Sequence, residues 1–378
     1  MIPIIVPVFG PEEQAAVAEV LRSGWVVQGP KVRQFETALA EIVGAEHAVA
    51  VSSATAGLHL ALHIAGIGVG DDVVVPSLSF IASTNAAWMV GARPVFADVA
   101  PDCPNATAET IARAWTDKTR AVIAVHQLGV PLDRAPIAQL CAERGAVLID
   151  DAACALGSLH DGQPVGRDAD LAVFSFHPRK VVTTGEGGAI TTNRADWAER
   201  MRALRQHGMS IAPADRHQSG ANEHYGEPGW NFRMTDLQAA VGVEQLKRLP
   251  TIVERRRALA ARYDTLLGDC WDVAPMTPRS ADTWNAQTYC LCVMPDGGPA
   301  GARRDRVLRF LNARDVGARR GILAAHLEPA WRDHPRGPLP CSDAWAAQSL
   351  ALPLHHFLTD EEQRFVVATL REALALSE

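Results

Sequence analysis

The 378-residue sequence lacks the features that mark membrane proteins and general nucleic-acid binders. No apolar run is long enough to cross a bilayer. The N-terminus has neither a basic start nor a small-residue cleavage site, so we expect no signal peptide. The net charge of -7 argues against general binding to nucleic acid or to an anionic membrane. Nearly half of the residues are hydrophobic, which predicts a globular chain with a large core.

Cysteine is scarce, and the seven cysteines include no Cys-x-x-Cys pair. Cys290 and Cys292 are close in sequence, but nothing around them completes a metal site, so we predict no metal centre. His59 and His63 have a metal-ligand spacing on a predicted helix without further ligands, and we interpret them as packing or surface residues. An odd number of scattered thiols is typical of a reducing compartment, and we predict a cytoplasmic location.

What the chain does contain is a lysine between two apolar runs. Leu171 to Phe174 predicts a buried strand that ends at Ser175, and Lys180 follows on a loop because Pro178 prevents a regular helix. Apolar surroundings disfavour the ammonium form of a lysine, and a neutral amine is a nucleophile for carbonyl groups. A single lysine after a strand is more often solvated. Two other segments, however, supply what a lysine-bound pyridoxal phosphate requires.

The first of these segments is an apolar strand that ends in two aspartates. Residues 146–149 are apolar, and Asp150 and Asp151 follow. Side chains alternate along a strand, so the two carboxylates point in opposite directions. Ligands of open α/β sheets bind at the carboxyl ends of the strands. We predict that Asp151 faces the pyridine nitrogen, because it leads into a small-residue turn; a helix cap or a solvated loop stays open for Asp150.

The second segment predicts an anion site. Residues 49–51 are typical of a strand, a turn of small and hydroxyl residues follows, and residues 58–65 predict a helix. Free N–H groups and the dipole at a helix start both favour a phosphate. Ser and Thr are also ordinary helix caps, so the pattern is weak by itself. Thr55 and Ser175 are the predicted hydroxyl donors.

With further motifs, these segments resemble the DegT/DnrJ/EryC1/StrS family of pyridoxal-phosphate sugar aminotransferases, which act on nucleotide-linked keto sugars. The matching pieces run in family order over nearly the whole chain. They are Ser23-Gly24-Trp25 with Gly29-Pro30, Phe35-Glu36, residues 52–56, residues 75–80, Asp151-Ala152-Ala153, the lysine segment and residues 229–236. The resemblance implies an α/β protein of fold type I, with a mostly parallel central sheet in a large domain and a smaller C-terminal α/β domain. Strands and helices alternate from residue 46 onward, which agrees with a sheet covered on both faces.

The resemblance also implies a role for each matching residue. Lys180 resembles the Schiff-base lysine and Asp151 the partner of the pyridine nitrogen, with pyridoxamine phosphate as the intermediate form of the cofactor. Phe80 would stack on the ring, and Asn231 would reach the phosphate of the neighbouring subunit, which implies a homodimer with shared active sites. The implied cofactor-binding set is Ser53, Ala54, Thr55, Ala56, Phe80, Asp151, Cys154, Ser175, Lys180 and Asn231.

The sequence departs from the family pattern at two of these positions. Ala54 stands where the family often has Gly, and Cys154 stands where it has Gln or His, which leaves the contact at that corner of the cofactor open. The predicted substrate-binding residues are Trp25, His177, Glu186, Arg319 and His326. Arg319 or its neighbour Arg320 would meet a carboxylate or a diphosphate, although a surface arginine pair explains the sequence nearly as well.

Pro250 is the predicted domain boundary, between a large cofactor-binding domain with an N-terminal arm (residues 1–249) and a small domain (residues 250–378). It separates two predicted helices, residues 235–246 and residues 253–267. The polar segment 202–228, which includes Arg216 and His217, is expected to help build the substrate pocket of a neighbouring subunit.

The predicted function is transfer of an amino group from an amino acid, by resemblance L-glutamate, to a nucleoside-diphosphate-linked keto-deoxysugar. A related branch of the family dehydrates sugars with a histidine in place of the lysine, and Lys180 argues against it. Two alternatives stay open: a keto-cyclitol as the acceptor, and a pyridoxal-phosphate-binding regulator without turnover.

Overall fold

The computed structural model describes residues 1–210, 223–276 and 283–376 of the chain. A seven-stranded sheet forms its centre, and a smaller antiparallel sheet lies in the C-terminal part. The strands are β1 His47–Val51, β2 Asp72–Pro76, β3 Arg93–Ala97, β4 Thr119–Val125, β5 Val147–Asp151, β6 Leu159–His160, β7 Gln163–Pro164, β8 Leu171–Ser175, β9 Gly188–Thr192, β10 Val273–Pro275, β11 Tyr289–Val293, β12 Arg319–Arg320 and β13 Ser349–Leu352.

The helices connect and cover these strands. They are α1 Pro11–Ser23, α2 Pro30–Val43, α3 Ala54–Ile64, α4 Ile81–Met89, α5 Ala108–Ala114, α6 Arg134–Arg144, α7 Ala195–Leu204, α8 Asp236–Leu267, α9 Ala302–Ala313, α10 Pro340–Gln348 and α11 Asp360–Ala375. Short 3-10 turns occur at Gln127–Gly129 and Ala325–Leu327. No helix in the described ranges is both long and apolar enough to span a membrane.

The central sheet has the strand order β1-β9-β8-β5-β4-β2-β3. Strand β9 runs antiparallel to both of its neighbours, and the other pairs are parallel. The predicted mostly parallel sheet is therefore confirmed. The strands predicted at residues 49–51, 146–149 and 171–174 are confirmed as β1, β5 and β8, with differences of one or two residues at the ends.

Both faces of the sheet are covered, which explains why its strands are continuous apolar runs. Along β2, Val73 and Val75 pack in one cluster, which includes side chains of α3 and α4. Val74 points to the other face and packs in a cluster with side chains of α5 and α6. Since successive side chains of a strand alternate between faces, each strand contributes to two hydrophobic layers.

The small sheet has the order β10-β11-β13-β12, with antiparallel pairs throughout. Its apolar side chains pack with those of α9, α11 and the second half of α8. Tyr263 of α8 and Tyr289 of β11 stack at a ring distance of 4.7 Å inside this cluster. This is the smaller C-terminal α/β part that the resemblance implied.

The prediction of two helices separated by Pro250 is wrong. Helix α8 is a single helix of 32 residues with Pro250 inside it. A proline removes one helical hydrogen bond and costs about 3 kcal/mol in a helix interior. Leu249 and Val253 are buried in a cluster of the large part, and burial of one such side chain stabilises by roughly 1.5–3 kcal/mol. Packing on both sides of the proline therefore keeps the helix continuous, and residue 250 lies within it.

Candidate active site

We call the seven-stranded sheet with the helices that cover it the large part, and the four-stranded sheet with its helices the small part. A cleft of about 540 Å³ lies between them. From the large part it receives the carboxyl ends of β4, β5 and β8 and the starts of α3 and α4. From the small part it receives β12 and the residues that precede β11. Of the residues predicted from sequence, this cleft brings together Ser53, Ala54, Thr55, Phe80, Asp151, Cys154, Ser175, His177, Lys180, Glu186 and Arg319.

Asp151 ends β5, and its carboxylate is buried and fixed by two donors. Ser83 Oγ donates to Oδ2 over 2.7 Å, and the Ala153 N–H donates to Oδ1 over 3.1 Å. Asp150 points the other way, as strand alternation predicted, and Arg134 Nε lies 3.1 Å from its Oδ2. Asp151 is therefore the strand-end carboxylate that faces the cleft.

Lys180 follows β8 on a turn in which its N–H donates to the His177 carbonyl over 2.8 Å. Its amine Nζ lies 3.0 Å from the Cys154 Sγ. Cys154 comes three residues after Asp151, on the turn that leaves β5. An amine and a carboxylate that are far apart in sequence thus line one cleft.

The third component is the start of α3, where Ser53 is the N-cap and its Oγ accepts from the Ala56 N–H over 3.1 Å. Gly188 of β9 pairs with Val51 on one side and with Ser175 on the other. This pairing brings the helix start and the Ser175 hydroxyl to the same wall of the cleft. The first N–H groups of a helix have no intrahelical partner, and they favour an anion.

These groups fit pyridoxal phosphate. The start of α3 and the Ser175 hydroxyl suit a phosphate, the Asp151 carboxylate suits a protonated pyridine nitrogen, and the Lys180 amine suits an aldehyde. Gly188 supports this assignment, because an added Cβ would lie 2.4 Å from the Ser53 carbonyl carbon. The backbone of β9 therefore approaches the start of α3 more closely than a side chain at position 188 would allow. Phe80 lines the cleft and is 65% exposed.

His177 and Glu186 form a polar pair at the cleft, with Nε2 and Oε1 4.0 Å apart. Burial lowers the pKa of His177, Glu186 opposes this shift, and the positive charges of Arg179, Lys180 and Arg319 lower the pKa further. His177 Nδ1 accepts from the Arg179 N–H over 3.1 Å. A neutral His177 therefore carries its proton on Nε2, on the side of Glu186.

Four predicted residues do not line the cleft. Ala56 is buried in α3 behind the cleft wall. The Trp25 Nε1–H donates to the Gln28 carbonyl over 3.1 Å. Asn231 is exposed and forms a β-bridge with Gln206.

His326 is the fourth, and its two ring nitrogens contact Ser77 and Asp343. Nδ1 lies 2.5 Å from the Ser77 Oγ, and Nε2 lies 2.8 Å from an Asp343 oxygen. Its side chain is buried, so its position is explained by contacts between the two parts of the molecule. Arg216 and His217, which were expected near a substrate pocket, lie outside the described residues.

His59 and His63, which have a metal-ligand spacing, both pack edge-on against Trp230. The ring centroids are 4.7 Å and 4.8 Å from that of Trp230. Burial is the first cause of the lowered pKa of both imidazoles. Their environment is the packed one that the sequence favoured.

Sequence reasoning missed Ser83 and Gln287. Ser83 lies in the first turn of α4, three residues after Phe80. Several serines surround Phe80 in the sequence, and nothing in the sequence distinguishes the one that donates to Asp151. Gln287 is buried and lines the cleft from the small part. No local pattern in the sequence identifies either residue, because each acts on a segment that is distant along the chain.

Comparison with known proteins agrees with this geometry. The model of the DegT/DnrJ/EryC1/StrS aminotransferase family matches residues 7–371. The aminotransferase TlmJ from Streptoalloteichus hindustanus is 36% identical, with a TM-score of 0.91 over 100% of this chain and 99% of that one.

Two further solved structures are similar over nearly their full length. Spr1654 from Streptococcus pneumoniae, in its PLP form, is 27% identical, with a TM-score of 0.92 over 100% of this chain and 99% of that one. Its PMP form has also been solved. PseC from Helicobacter pylori, an aminotransferase, is 26% identical, with a TM-score of 0.91 over 98% of each chain. The chain belongs to the DegT/DnrJ/EryC1/StrS aminotransferase family and is a pyridoxal-phosphate-dependent transaminase of fold type I.

Proposed function

We propose that the protein transfers an amino group from an amino acid, with L-glutamate as the donor, to a nucleotide-linked keto-deoxysugar. The observation that carries the proposal is the shared cleft of the Lys180 amine, the Asp151 carboxylate and the start of α3. This arrangement supports transaminase chemistry, because the reaction requires an amine that exchanges with substrate amines and a group that holds charge at the far end of the cofactor ring.

Asp151 and Lys180 have separate tasks in this proposal. Pyridoxal phosphate, when bound, accepts the electron pair that leaves the substrate carbon. Asp151 holds a proton at the pyridine nitrogen, and Ser83 and the Ala153 N–H keep the carboxylate in that orientation. Lys180 Nζ takes the proton from the α-carbon of the donor as general base and delivers it to the cofactor carbon as general acid; in the second half of the reaction it moves a proton in the reverse direction, from the cofactor carbon to the former keto carbon of the sugar.

A sugar acceptor is supported by the polar lining of the cleft. His177, Glu186 and Gln287 offer donors and acceptors for hydroxyl groups. Spr1654 has been named a sugar aminotransferase on a provisional basis, and PseC acts in the biosynthesis of pseudoaminic acid. A keto-cyclitol presents similar hydroxyl groups and is the alternative acceptor.

The roles of the individual residues belong to the same proposal. Ser53, Ala54, Thr55 and Ser175 surround the phosphate, Phe80 covers the ring and Cys154 lies at its edge. Ala56 is proposed at the phosphate on the family resemblance alone, because it lies behind the cleft wall of its own chain. Trp25, His177, Glu186, Arg319 and His326 are the residues proposed for the substrate side; Trp25 and His326 lie away from the cleft of their own chain, so the support for these two is the family resemblance.

We also propose a homodimer in which Asn231 of each chain completes the phosphate site of its partner. The exposed position of Asn231 outside the cleft of its own chain supports this arrangement. The division into residues 1–249 and 250–378 is likewise a proposal, with the boundary inside α8. A cytoplasmic location is supported by the cysteines, all seven of which are free thiols.

A spectroscopic half-reaction tests the function. L-Glutamate added to the purified holoenzyme should remove the visible band of lysine-bound cofactor and release 2-oxoglutarate in equal amount. Lys180→Ala should lose that band. Lys180→Arg is the matched variant: it keeps the positive charge, and it should also lack the band. A spectrum that no amino acid alters would favour the regulator. Turnover of keto-inositols but not of nucleotide keto sugars would favour the cyclitol acceptor.

A further inference from the structure

Residues 284–287, which precede β11 in the small part, contact two turns of the large part that carry side chains of the cleft. We call residues 284–287 the connecting segment. The first turn follows β8 and carries Lys180, and the second follows β5 and carries Cys154. The Lys180 Nζ and the Cys154 Sγ lie 3.0 Å apart. A segment that is bonded to both turns can therefore fix the position of one reactive group relative to the other.

Gln287 of the connecting segment holds the peptide group directly before Lys180. Gln287 is 4% exposed, and its Nε2 donates to the Arg179 carbonyl over 2.6 Å. This carbonyl belongs to the planar peptide that joins Arg179 to Lys180, so the bond restrains the backbone from which the amine extends. Within the turn, the Lys180 N–H donates to the His177 carbonyl over 2.8 Å. The backbone of Lys180 is thus held both by its own turn and by the small part.

Asn285 of the connecting segment holds the second turn. It is fully buried, and its Nδ2 donates to the Cys154 carbonyl over 2.8 Å and to the Leu156 carbonyl over 2.9 Å. Its Oδ1 accepts from the Gln287 N–H over 2.9 Å. The two amide side chains and the bond between their residues therefore link the turn of Cys154 to the turn of Lys180.

The backbone between these two residues has a conformation that its residue type disfavours. Ala286 has a φ of +53°, in the left-handed region that favours glycine. Such a conformation costs of order 1–3 kcal/mol, persists only where the surroundings impose it, and is concentrated at active sites. Helix α8 imposes it here, since Arg256 Nε donates to the Ala286 carbonyl over 2.8 Å and Arg256 Nη2 to the Gln287 carbonyl over 2.6 Å. The strained residue thus separates two side chains that reach different turns.

Another buried glutamine makes the same kind of bond away from the cleft. Gln363 of α11 is fully buried, and its Nε2 donates to the Leu259 carbonyl of α8 over 2.9 Å. The Oε1 of Gln363, like that of Gln287, is buried without a partner among the described residues. The carbonyl that Gln287 binds adjoins the reactive lysine, whereas Gln363 and Leu259 do not line the cleft. The two glutamines therefore differ mainly in what their bond holds in place.

We propose that Gln287 and Asn285 are positioning residues, which hold the turns of Lys180 and Cys154 so that the Lys180 amine meets the cofactor aldehyde in one orientation. Neither side chain reacts with the cofactor. The orientation of a reacting group sets the rate of its reaction, because a displaced group must first return to the productive position. This inference rests on the proposed function only through the role of Lys180, and it requires neither a particular donor nor a particular acceptor.

The rate at which Lys180 bonds to the cofactor tests the proposal without any substrate. Apoprotein is mixed with saturating pyridoxal phosphate, and the growth of the visible band is followed. Gln287→Met keeps the length of the side chain and removes the donor, so the rate constant should fall about 10- to 100-fold, as a displacement of about 1 Å can cause. The Kd for pyridoxamine phosphate, which has no aldehyde and cannot bond to Lys180, should not change.

Gln363→Met is the matched control, because it also loses a bond from a buried amide to a backbone carbonyl. It should form the visible band at the wild-type rate. Asn285→Ser removes the bonds to the turn of Cys154 and should slow the same step, which provides the test if Gln287→Met does not fold.

A wild-type rate in either folded variant of the connecting segment would overturn the proposal. An equal fall in the rate for Gln363→Met would overturn it as well, because the effect would then follow from lost stability. A weaker affinity of Gln287→Met for pyridoxamine phosphate, in proportion to the slower rate, would also contradict it, since the whole cofactor site would then be altered. A Lys180→Ala protein that still formed the band would instead overturn the proposed role of Lys180, and this inference with it.

Discussion

Gly188→Ala tests whether the start of α3 holds the phosphate of the cofactor. Gly188 lies on β9, between Val51 of β1 and Ser175 of β8. An alanine Cβ at this position would lie 2.4 Å from the Ser53 carbonyl carbon and 2.5 Å from the Ala54 nitrogen. Ordinary contacts of a Cβ begin at 3.4 Å. Both neighbours are backbone atoms, so the helix start must move away from β9 by about 1 Å, a distance that follows from this contact limit.

A displacement of this size is large for a hydrogen bond. N–H···O bonds have a typical length of about 2.9–3.0 Å, and an extra 1 Å breaks them. Each bond from an N–H group to an ionised phosphate contributes roughly 1.5–3 kcal/mol. If two such bonds are lost, the affinity for pyridoxal phosphate should fall by about 100-fold or more.

The assay is equilibrium titration of apoprotein with pyridoxal phosphate, followed by the visible band of the lysine-bound cofactor. Gly337→Ala is the matched control, because a Cβ at Gly337 would meet no atom within 4 Å and its φ is not in the left-handed region. Circular dichroism and thermal melting would show whether the Gly188→Ala variant remains folded. A folded variant with wild-type affinity for the cofactor would refute the assignment of the phosphate site.

Three further predictions concern Cys154, the histidines on α3, and His326. Iodoacetamide should alkylate Cys154 more slowly after pyridoxal phosphate is added, as measured by mass spectrometry of the peptide; the internal reference is Cys141, whose pKa burial raises to about 11, and equal rates at Cys154 with and without cofactor would place the thiol away from it. Burial lowers the pKa of His59 and His63 below 6.5 in the folded state, so the native state binds fewer protons than the unfolded state. The free energy of unfolding should therefore fall as the pH drops through 6.5, by about 1.4 kcal/mol per unit of difference between the folded and unfolded pKa. Urea titrations at several pH values should show a smaller fall in His59→Phe than in the wild type. The same pH dependence in both proteins would contradict the prediction. His326→Ala should destabilise the protein by about 1–3 kcal/mol, because the buried Ser77 hydroxyl loses its partner; a large rise in KM with an unchanged melting temperature would instead indicate a substrate contact.

Much of the fold could be predicted because its signals are local. The strands of the central sheet are apolar runs bounded by turn residues, and they lie where those runs are. Helix α3 was also predicted, but it begins at Ala54, four residues before the predicted start at residue 58, because Ser53 caps it there. The continuous helix α8 could not be predicted, because Pro250 is a strong local signal that distant packing overrides.

The candidate site shows the same division. Lys180, Asp151 and the helix start were predicted from their positions at the ends of apolar strands, and the cleft contains all three. The placement of His326 was not predicted, because its two partners, Ser77 and Asp343, lie on segments that are far from it in sequence. The support of Asp151 by Ser83 depends in the same way on a contact between β5 and α4.

The sequence by itself determined the strands of the central sheet, to within one or two residues, and the residue types that pyridoxal phosphate requires, because each of these depends on hydrophobic periodicity and turn residues within a short segment. Only the tertiary structure decided which of these residues meet. The antiparallel insertion of β9 between β1 and β8 brings Ser53 and Ser175 to one wall. The docking of the small part places in the cleft an N–H of Arg319 and the amide oxygen of Gln287, neither of which has a partner among the described residues. Such contacts depend on the packing of segments a hundred or more residues apart, and no local pattern encodes them.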